Sequence, residues 1–307
     1  MNKKLIAWIL LFSCNLMWAL HFTSIKLTQN QLGQYFTVWF PMLLSIFMLM
    51  PFVLKDFKKK KRSLKDILVF VPLAALGAFP SQMLMTIGTR MSLASNAAIM
   101  VLILPILTAV LAYLILKEKM TKTLWTSFAI AIAGVTLVSL NDLSKIDFGT
   151  EYAIGNLVIF AALIANAYYN VGCKKIADKF SGMEMVFYSY VIIVILLSPF
   201  IFNYESDIFS RFHMFTSDTW IGLILLTVFH NFLSMVLFFI ALKNLRANEV
   251  GLSNYLIPFF GVPISAFWLG EKLGLPAIIG GSLVLISMLI MTLVDARNAK
   301  KEILEIT

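Results

Sequence analysis

The chain has 307 residues, 60% of them hydrophobic and 13% charged, with a formal net charge of +9 at pH 7. Soluble domains carry about 25% charged residues, so this composition excludes a soluble enzyme and indicates a protein of the lipid bilayer. The longest connection between apolar segments, Asn203–Asp218, leaves no room for an added soluble domain.

Ten segments contain no Asp, Glu, Lys or Arg, apart from Lys26 near the end of the first. A bilayer core is about 30 Å thick, so a spanning helix needs about 20 apolar residues. The sequence therefore predicts an all-α integral membrane protein with ten transmembrane helices. The predicted spans are Leu5–Leu27, Gly33–Leu54, Ile67–Thr89, Leu93–Leu116, Thr123–Leu140, Tyr152–Cys173, Met185–Asn203, Thr219–Leu242, Val250–Leu269 and Leu273–Val294.

Basic residues are distributed unevenly between the two sides of this predicted bundle. With a cytoplasmic N-terminus, 20 of the 25 Lys and Arg residues fall in cytoplasmic segments and 5 in outside segments. The positive-inside rule therefore predicts that both termini are in the cytoplasm. We expect a multi-pass protein of the bacterial inner membrane. We expect the basic run Lys58–Arg62 to contact anionic lipid headgroups, and we predict no nucleic-acid partner.

Half of the chain is repeated. A shift of 153 residues aligns the two halves without a gap from the end of the third predicted span through the fifth. The matched positions include Pro105 with Pro258, Arg90 with Lys243, and Glu118–Met120 with Glu271–Leu273. The halves are residues 1–143 and 150–307, with five spans each. An odd number of spans reverses the membrane orientation of the second half, so the sequence predicts two inverted five-helix repeats.

Both halves carry the same ordered set of short motifs. The first half has Trp18-Ala19 followed by Lys26, then Ala94–Ala98 leading to Pro105 and Lys117-Glu118-Lys119; the second has Ala247–Val250 leading to Pro258 and Gly270-Glu271-Lys272. Over nearly the whole chain this set resembles the drug/metabolite transporter superfamily, in its EamA-type ten-helix branch. The resemblance implies two inverted halves and alternating-access transport of small organic solutes, often export. One departure is Trp39, which stands where that family often has an arginine in the second span.

Proline occurs near the middle of three predicted spans, at Pro80, Pro105 and Pro258. Proline removes one helical hydrogen bond and clashes with the preceding turn. In lipid, the freed carbonyl must be satisfied by protein or by water in a cavity. We therefore predict that these prolines mark a hinge or binding region between the repeats, with a simple packing kink as the alternative.

Polar and aromatic side chains inside the spans are the candidates for solute binding. Burial of a polar group in a membrane is costly, so such side chains tend to face the bundle interior or a water-filled cavity. The predicted substrate-binding residues are Trp18, His21, Gln82, Asn166, Tyr169, His230, Asn254 and Tyr255. For each of them, hydrogen bonding between helices or aromatic packing is the alternative interpretation.

Two kinds of ionisable group stand out in this pattern. Apart from thiols, His21 and His230 are the side chains inside the spans that titrate near neutral pH. One of them could therefore carry a coupling proton. The alternative is that each is a neutral histidine that hydrogen-bonds to a neighbouring helix. The helix-end charge pairs are expected to cap the following span and anchor the helix at the membrane surface, with a gate role as the alternative. These pairs are Glu118 with Lys119 and Glu271 with Lys272.

Several kinds of chemical site are absent from the sequence. No Asp or Glu lies in the middle of a predicted span, so an acid–base enzyme would lack a buried carboxylate pair. No cluster of His, Cys and Asp has the spacing of a metal site, and no phosphate-binding Gly-rich loop is present. We therefore predict no catalytic residues, no metal and no cofactor, and transport that does not use ATP.

The sequence predicts a secondary transporter of small neutral or zwitterionic metabolites, such as amino acids, that works by alternating access and acts as an exporter. An anionic solute would need a buried Lys or Arg to offset its desolvation, and no span carries one at mid-depth. A polytopic sensor or receptor, or a membrane-embedded enzyme without transport activity, is the alternative. Coupling to a proton or another ion, and assembly as a homodimer, are left open.

Overall fold

The computed structural model of the chain is helical throughout the part of the sequence that it describes. The described residues are 3–59, 62–118, 120–138, 151–242, 245, 253–254 and 256–306. Within these ranges there is no β-strand.

Seven helices are long and apolar enough to cross a membrane in the described part of the chain. They are α1 (Lys3–Thr28), α2 (Gln34–Lys59), α3 (Leu64–Met91), α4 (Ala94–Leu116), α6 (Glu151–Ile176), α7 (Gly182–Tyr204) and α8 (Ser217–Leu242). Three further apolar helices are shorter than a full span or carry a shorter apolar part: α5 (Lys122–Val138), α9 (Leu256–Leu269) and α10 (Leu275–Ile306), whose apolar part is Leu275–Met291.

Three of the long helices depart from α geometry near their middle. In α3 a π-helical turn, Ala74–Ala78, comes just before Pro80, and in α4 a 3-10 turn, Val101–Ile103, comes just before Pro105. Each proline lacks the N–H that would bond to the carbonyl four residues earlier, and that carbonyl lies in the irregular turn. A second π-helical turn, Leu225–Leu233, occurs in α8 without a proline. There the Ser45 hydroxyl of α2 donates a hydrogen bond of 3.1 Å to the carbonyl of Thr227.

The packing of the helices exchanges partners between the two halves of the chain. Helix α1 packs against α8 and α9, whereas α6 packs against α3 and α4. Helices α2 and α7 pack against each other, as do α4 with α9 and α5 with α10. Each half therefore buries its first helix mainly against the other half.

Glycine permits the closest approach between α5 and α10. A Cβ added at Gly134 would lie 2.6 Å from the carbonyl oxygen of Gly280 and 3.0 Å from the backbone nitrogen of Val284. The outer faces of the bundle carry exposed apolar side chains, among them Phe267, which is 94% exposed. Such a surface fits lipid contact, because large exposed apolar areas mark interaction surfaces.

The two ends of the bundle differ in how the halves are joined. At the end where α1, α3 and α7 finish, which we call the Glu271 end, side chains of one half bond to backbone groups of the other. At the opposite end, which we call the Arg62 end, the halves are joined by ion pairs. These pairs are Arg62 with Glu184, Lys174 with Glu118 and Lys179 with Asp66.

Only the Arg62–Glu184 pair is buried among these ion pairs of the described residues. Its shortest contact is 2.7 Å, and the two side chains are 7% and 1% exposed. The guanidinium also lies over the ring of Phe180, 4.5 Å from the centroid. Hydrogen bonding to Glu184 raises the pKa of Arg62, so the guanidinium stays charged.

Candidate functional site

A cavity of about 560 Å³ lies between the two halves of the bundle. Ligand pockets for small molecules are typically about 300–1,000 Å³. The cavity is lined by side chains from α1, α3, α4, α6, α7 and α8 and from the start of α9. Residues from both halves of the chain therefore form its wall.

Two helices present regular stripes to this cavity. On α3 the stripe is Ala78, Ser81, Gln82 and Met85, and on α7 it is Val186, Ser189, Tyr190 and Ile193. Both follow the i, i+3, i+4, i+7 spacing that defines one face of an α-helix. One face of α3 and one face of α7 therefore form part of the cavity wall.

Most of the predicted substrate-binding residues lie together on the wall of this cavity. Those that line it are Trp18, His21, Gln82, Asn166, Tyr169, His230 and Asn254. Tyr255 lies outside the described residues. The fold thus brings these side chains together on one wall.

Trp18 joins the aromatic wall of the cavity to the backbone of α8. Its indole Nε1–H donates a hydrogen bond of 3.1 Å to the Ser234 hydroxyl, which in turn donates to the carbonyl of His230. The ring packs beside Phe238 with centroids 5.1 Å apart. The Cys14 thiol, one turn earlier on α1, donates to the Ser234 carbonyl. The rotation of α1 against α8 is thereby fixed.

Four side-chain amides line the cavity without a hydrogen bond to another described residue. They are Gln82, Asn166, Asn170 and Asn254. By contrast, the hydroxyls of two lining tyrosines are already engaged: Tyr169 with the Ser189 hydroxyl at 2.9 Å, and Tyr190 with the Asn231 side chain at 3.2 Å. These amides are therefore neutral donors and acceptors available to a solute.

His21 of α1 and His230 of α8 stack face to face at the cavity wall. Their ring centroids are 3.8 Å apart and the rings are inclined by 23°. The Nδ1 atoms of both rings are buried without a hydrogen-bond partner among the described residues. His21 and His230 lie far apart in the sequence, and the fold brings them together as one stacked pair.

Charged side chains lie at the ends of the bundle and not at the cavity. Among the described lining residues there is no Asp, Glu, Lys or Arg. The Lys26 ammonium donates to the carbonyl of Arg90, whose guanidinium donates to the Leu32 carbonyl and the Thr37 hydroxyl at the Glu271 end.

The prediction that the charge pairs cap the span that follows them is wrong for both glutamates. Glu271 accepts hydrogen bonds from the backbone N–H groups of Ala94 and Ser95, at 2.8 and 2.9 Å, and therefore caps α4. Glu118 instead pairs with Lys174 of α6 at 2.5 Å. Free N–H groups at the start of a helix attract a carboxylate from wherever the tertiary fold brings one. Lys272 is exposed, and Lys119 lies outside the described residues.

Further contacts between the halves close the Glu271 end. The Glu205 carboxylate accepts from the backbone N–H groups of Tyr35 and Phe36 at the start of α2. The Gln31 side chain accepts from the Thr216 N–H and the Thr219 hydroxyl at the start of α8. On α6, α7 and α8 the lining residues lie mainly in the halves of the helices nearer the Arg62 end, whereas on α1, α3 and α4 they lie in the halves nearer the Glu271 end. The cavity therefore lies near the middle of the bundle.

The prolines stand close to this cavity without lining it. Pro80 precedes the lining residue Ser81, and Pro105 follows the lining residue Leu104. Pro258 follows the lining residue Ile257.

In the second span, Trp39 donates its indole N–H to the Ser198 hydroxyl of α7 at 3.0 Å.

Sequence reasoning missed the contribution of α7. Ser189 and Tyr190 line the cavity, but neither is among the predicted binding residues. A signal was present, because these two residues form the polar part of a helical stripe with Val186 and Ile193. Phe22, Phe238 and Phe239 were also missed, since aromatic side chains in a membrane helix pack against lipid or protein just as often.

The family assignment follows from the sequence of both halves. The model of the EamA-like transporter family matches residues 5–140 and again residues 153–293. The chain belongs to the EamA-like transporter family. It is therefore a membrane transporter of this type, as the resemblance of its motifs predicted.

Individual relatives agree with this assignment. YetK, an uncharacterised transporter of Bacillus subtilis, is 23% identical over 72% of this chain and 68% of its own length. A protein of Streptantibioticus cattleyicolor named as a probable terminal-alkyne amino-acid exporter is 22% identical over 71% of each chain. A solved crystal structure matches with a TM-score of 0.66 over 95% of this chain and 98% of its own, at 14% identity, which indicates a shared fold.

Proposed function

We propose that this chain is a secondary transporter that exports a neutral or zwitterionic, amphipathic organic solute across the inner membrane. An amino acid or a closely related compound is the proposed substrate class. The proposal rests chiefly on one observation, the cavity between the two halves with its free amides, aromatic faces and, among its described residues, no formal charge.

The chemistry of the wall argues for this solute class. An anion entering a water-poor cavity needs a fixed positive charge to replace its hydration. Amide groups and aromatic faces instead suit a solute with a neutral polar end and an apolar body, and helix ends can meet the two charges of a zwitterion locally. The name of the Streptantibioticus cattleyicolor relative, an amino-acid exporter, supports both the substrate class and the direction.

We propose alternating access between two inverted five-helix halves, residues 1–143 and 150–307, with ten transmembrane helices in all. The reciprocal packing of α1 and α6 supports this, because an inverted repeat predicts such an exchange. A shift of 153 residues also carries the π-helical turn Ala74–Ala78 of α3 into the π-helical turn Leu225–Leu233 of α8. Such turns are frequent at functional sites, and with the prolines they would supply the hinges.

Both termini are proposed to be cytoplasmic, on the distribution of Lys and Arg. The Arg62 end is then the cytoplasmic end and the Glu271 end the outer end, with the cavity between them.

Transport in liposomes tests the proposal. Purified protein is reconstituted, and uptake of labelled neutral amino acids is compared with uptake of a labelled sugar phosphate. We expect saturable uptake of the amino acids and none of the phosphate. Saturable uptake of the phosphate alone would overturn the proposed substrate class, and binding of an amino acid without uptake would favour a sensor or receptor.

A pair of matched variants locates the site in the same assay. Asn166→Ala removes a free amide of the cavity and is expected to raise the apparent KM about tenfold, because a good hydrogen bond is worth about 1–1.5 kcal/mol. Asn30→Ala removes an exposed amide beyond the end of α1 and should leave the KM unchanged. Equal effects of the two substitutions would show that this cavity is not the binding site.

A further inference from the structure

Two glycines occupy equivalent places in the two halves of the chain. Gly33 directly precedes α2 and Gly182 is the first residue of α7, and these are the second helices of their halves. Each glycine is covered by a side chain of another segment. A Cβ added at Gly33 would overlap the Glu205 carboxylate, and one added at Gly182 would overlap the Phe239 ring. Gly33 lies at the Glu271 end and Gly182 at the Arg62 end, so each end of the bundle has one covered glycine.

The Phe239 ring lies between the cavity and the Arg62 end. The ring lines the cavity, and its edge lies against the first residue of α7. Phe239 is also within one turn of the end of α8 at Leu242. The ring therefore closes the space between α7 and α8 at this end of the cavity.

The backbone beneath the ring is fixed by hydrogen bonds. Ser181 and Glu184 form a reciprocal capping box at the start of α7, and Gly182 lies between them. The Glu184 carboxylate also pairs with the buried Arg62 guanidinium at 2.7 Å, and this guanidinium donates to the Lys179 carbonyl. Because Arg62 belongs to the first half and Glu184 to the second, the start of α7 is tied to both halves.

The ring itself is held by apolar contact. A phenylalanine side chain has no hydrogen-bonding group, and the neighbouring Phe238 ring lies with its centroid 5.4 Å away. Long side chains on a helix have two common χ1 rotamers, of about 180° and −60°. One rotation about χ1 can therefore move the ring off Gly182 without breaking a hydrogen bond.

The covered glycine at the Glu271 end is held differently. The Glu205 carboxylate over Gly33 accepts from the backbone N–H groups of Tyr35 and Phe36. The Arg90 guanidinium donates to the Gly33 carbonyl at 3.3 Å. Hydrogen bonds of charged groups are roughly twice as strong as neutral ones. Opening this end breaks such bonds, whereas opening the contact at Gly182 breaks only apolar packing.

We propose that Phe239 is the gate of the cavity at the Arg62 end and that Gly182 is the surface against which it closes. With the ring over Gly182, the cavity is shut off from this end. With the ring rotated away, a solute passes between α7 and α8. Glycine is required at position 182, because a side chain there would hold the ring away from the backbone.

The two kinds of closure give the ends different roles, and this step rests on the proposed function. The Arg62 end is there the cytoplasmic end. A side-chain rotation at Phe239 then admits a solute from the cytoplasm, while the hydrogen-bonded contacts of Glu205 and Glu271 keep the outer end closed. Release to the outside requires the helix ends to separate.

Labelling of a cysteine in the cavity tests the gate without any solute. Asn166→Cys places a thiol on the cavity wall, in a background without Cys14 and Cys173. An impermeant methanethiosulfonate reagent is applied to intact cells and, separately, to inside-out membrane vesicles. With Phe239 in place, we expect labelling from both sides to be slow compared with that of Lys58→Cys. Phe239→Ala is expected to raise the rate about tenfold or more in the inside-out vesicles, because each loss of about 1.4 kcal/mol in closing energy raises the open fraction tenfold.

A second variant and a control isolate the contact with the glycine. Gly182→Ala keeps the ring but adds a methyl group where the ring rests, so it should raise the labelling rate from the same side as Phe239→Ala. Phe232→Ala removes another ring of α8, which packs beside Phe52 and is not among the lining residues. This control should leave the labelling rate unchanged.

The outcomes separate the gate from the proposed function. An increase from one side supports the gate, and labelling of Lys58→Cys reports which side the Arg62 end faces. An increase from the outside would therefore overturn the cytoplasmic assignment of that end and keep the gate. Liposome uptake decides the substrate class separately.

Three results would overturn the gate itself. They are fast labelling of Asn166→Cys with Phe239 in place, unchanged rates in both gate variants, and equal increases from both sides. If Phe239→Ala does not fold, Gly182→Ala and the parent protein decide the question. If neither variant folds, the rate in the parent protein decides it.

Discussion

At the scale of single residues, Trp18 combines two roles that different substitutions separate. Its ring forms part of the cavity wall and packs beside Phe238, while its Nε1–H donates to Ser234. The hydroxyl of Ser234 also holds the carbonyl of His230, so the indole supports the backbone that positions this histidine. Packing and hydrogen bonding at Trp18 therefore act on the same part of α8.

The substitution Trp18→Phe removes the donor but keeps an aromatic face. We expect it to lower the free energy of unfolding by about 0.5–1.5 kcal/mol, the net value of one hydrogen bond, with a small change in KM. Trp18→Ala also removes the wall, so it should raise the KM further. Thermal unfolding in detergent and the liposome assay measure the two effects. Identical behaviour of the two variants would argue against separate roles.

At the scale of helices, contacts between an end of one helix and the start of another hold the Glu271 end closed. The carboxylate of Glu271 accepts from the Ala94 and Ser95 N–H groups and from the Ser95 hydroxyl. The start of a helix carries a partial positive charge, so a carboxylate there is a strong acceptor. The glutamate at the repeat-related position, Glu118, lies in a half-exposed ion pair with Lys174.

Replacement of these two glutamates should therefore have unequal effects. Glu271→Gln removes the charge from the capping group and is expected to cost about 1.5–3 kcal/mol of stability, as for hydrogen bonds to a charged group. Glu118→Gln breaks only a surface ion pair, which contributes little. Thermal unfolding of the two variants side by side provides the measurement. A larger loss for Glu118→Gln would contradict the capping role of Glu271.

The crossing of α5 and α10 depends on the absence of side chains at its closest point. In Gly134→Ala the new methyl group would meet the backbone of α10 at Gly280 and Val284, which cannot move as a side chain can. We expect a loss of about 1–3 kcal/mol, the usual cost of overpacking. Ala133→Leu adds a larger group on the exposed face of the same helix and should be nearly neutral. Expression level and thermal unfolding of both variants would show the difference.

At the scale of the whole molecule, the reciprocal packing of α1 and α6 makes each half depend on the other. A half expressed alone would leave the buried faces of its first helix and of its third and fourth helices without partners. The cavity and the histidine pair also draw residues from both halves. The site and the stability of the bundle are thus properties of the assembled pair of halves.

Membrane orientation is the prediction that belongs to this scale. Single cysteines replace Lys58, at the Arg62 end, and Ser206, at the Glu271 end, in a background without Cys14 and Cys173. An impermeant thiol reagent applied to intact cells should label Ser206→Cys but not Lys58→Cys, and both should react after the membrane is opened. The reverse pattern would place the termini outside and exchange the cytoplasmic and outer ends of the bundle.

The sequence by itself determined the membrane class, the approximate positions of the long apolar helices and several polar residues of the cavity wall. The cost of placing charge in lipid acts on every segment separately, so runs without charge reveal spans before any tertiary contact is known. The same cost makes polar residues inside a span conspicuous, which is why Gln82, Asn166 and Asn254 could be selected and why they line one cavity. Glycine and phenylalanine residues gave no comparable signal.

Only the tertiary structure decided which of these residues meet. The stack of His21 on His230, the capping of α4 by Glu271 and the face of α7 that carries Tyr190 depend on how far each helix is rotated about its axis. That rotation is set by close packing between helices distant in sequence, such as the contact of Gly134 with Gly280. Packing in a bilayer acts through van der Waals contact and interhelical hydrogen bonds between specific surfaces, and neither leaves a periodic pattern in the sequence.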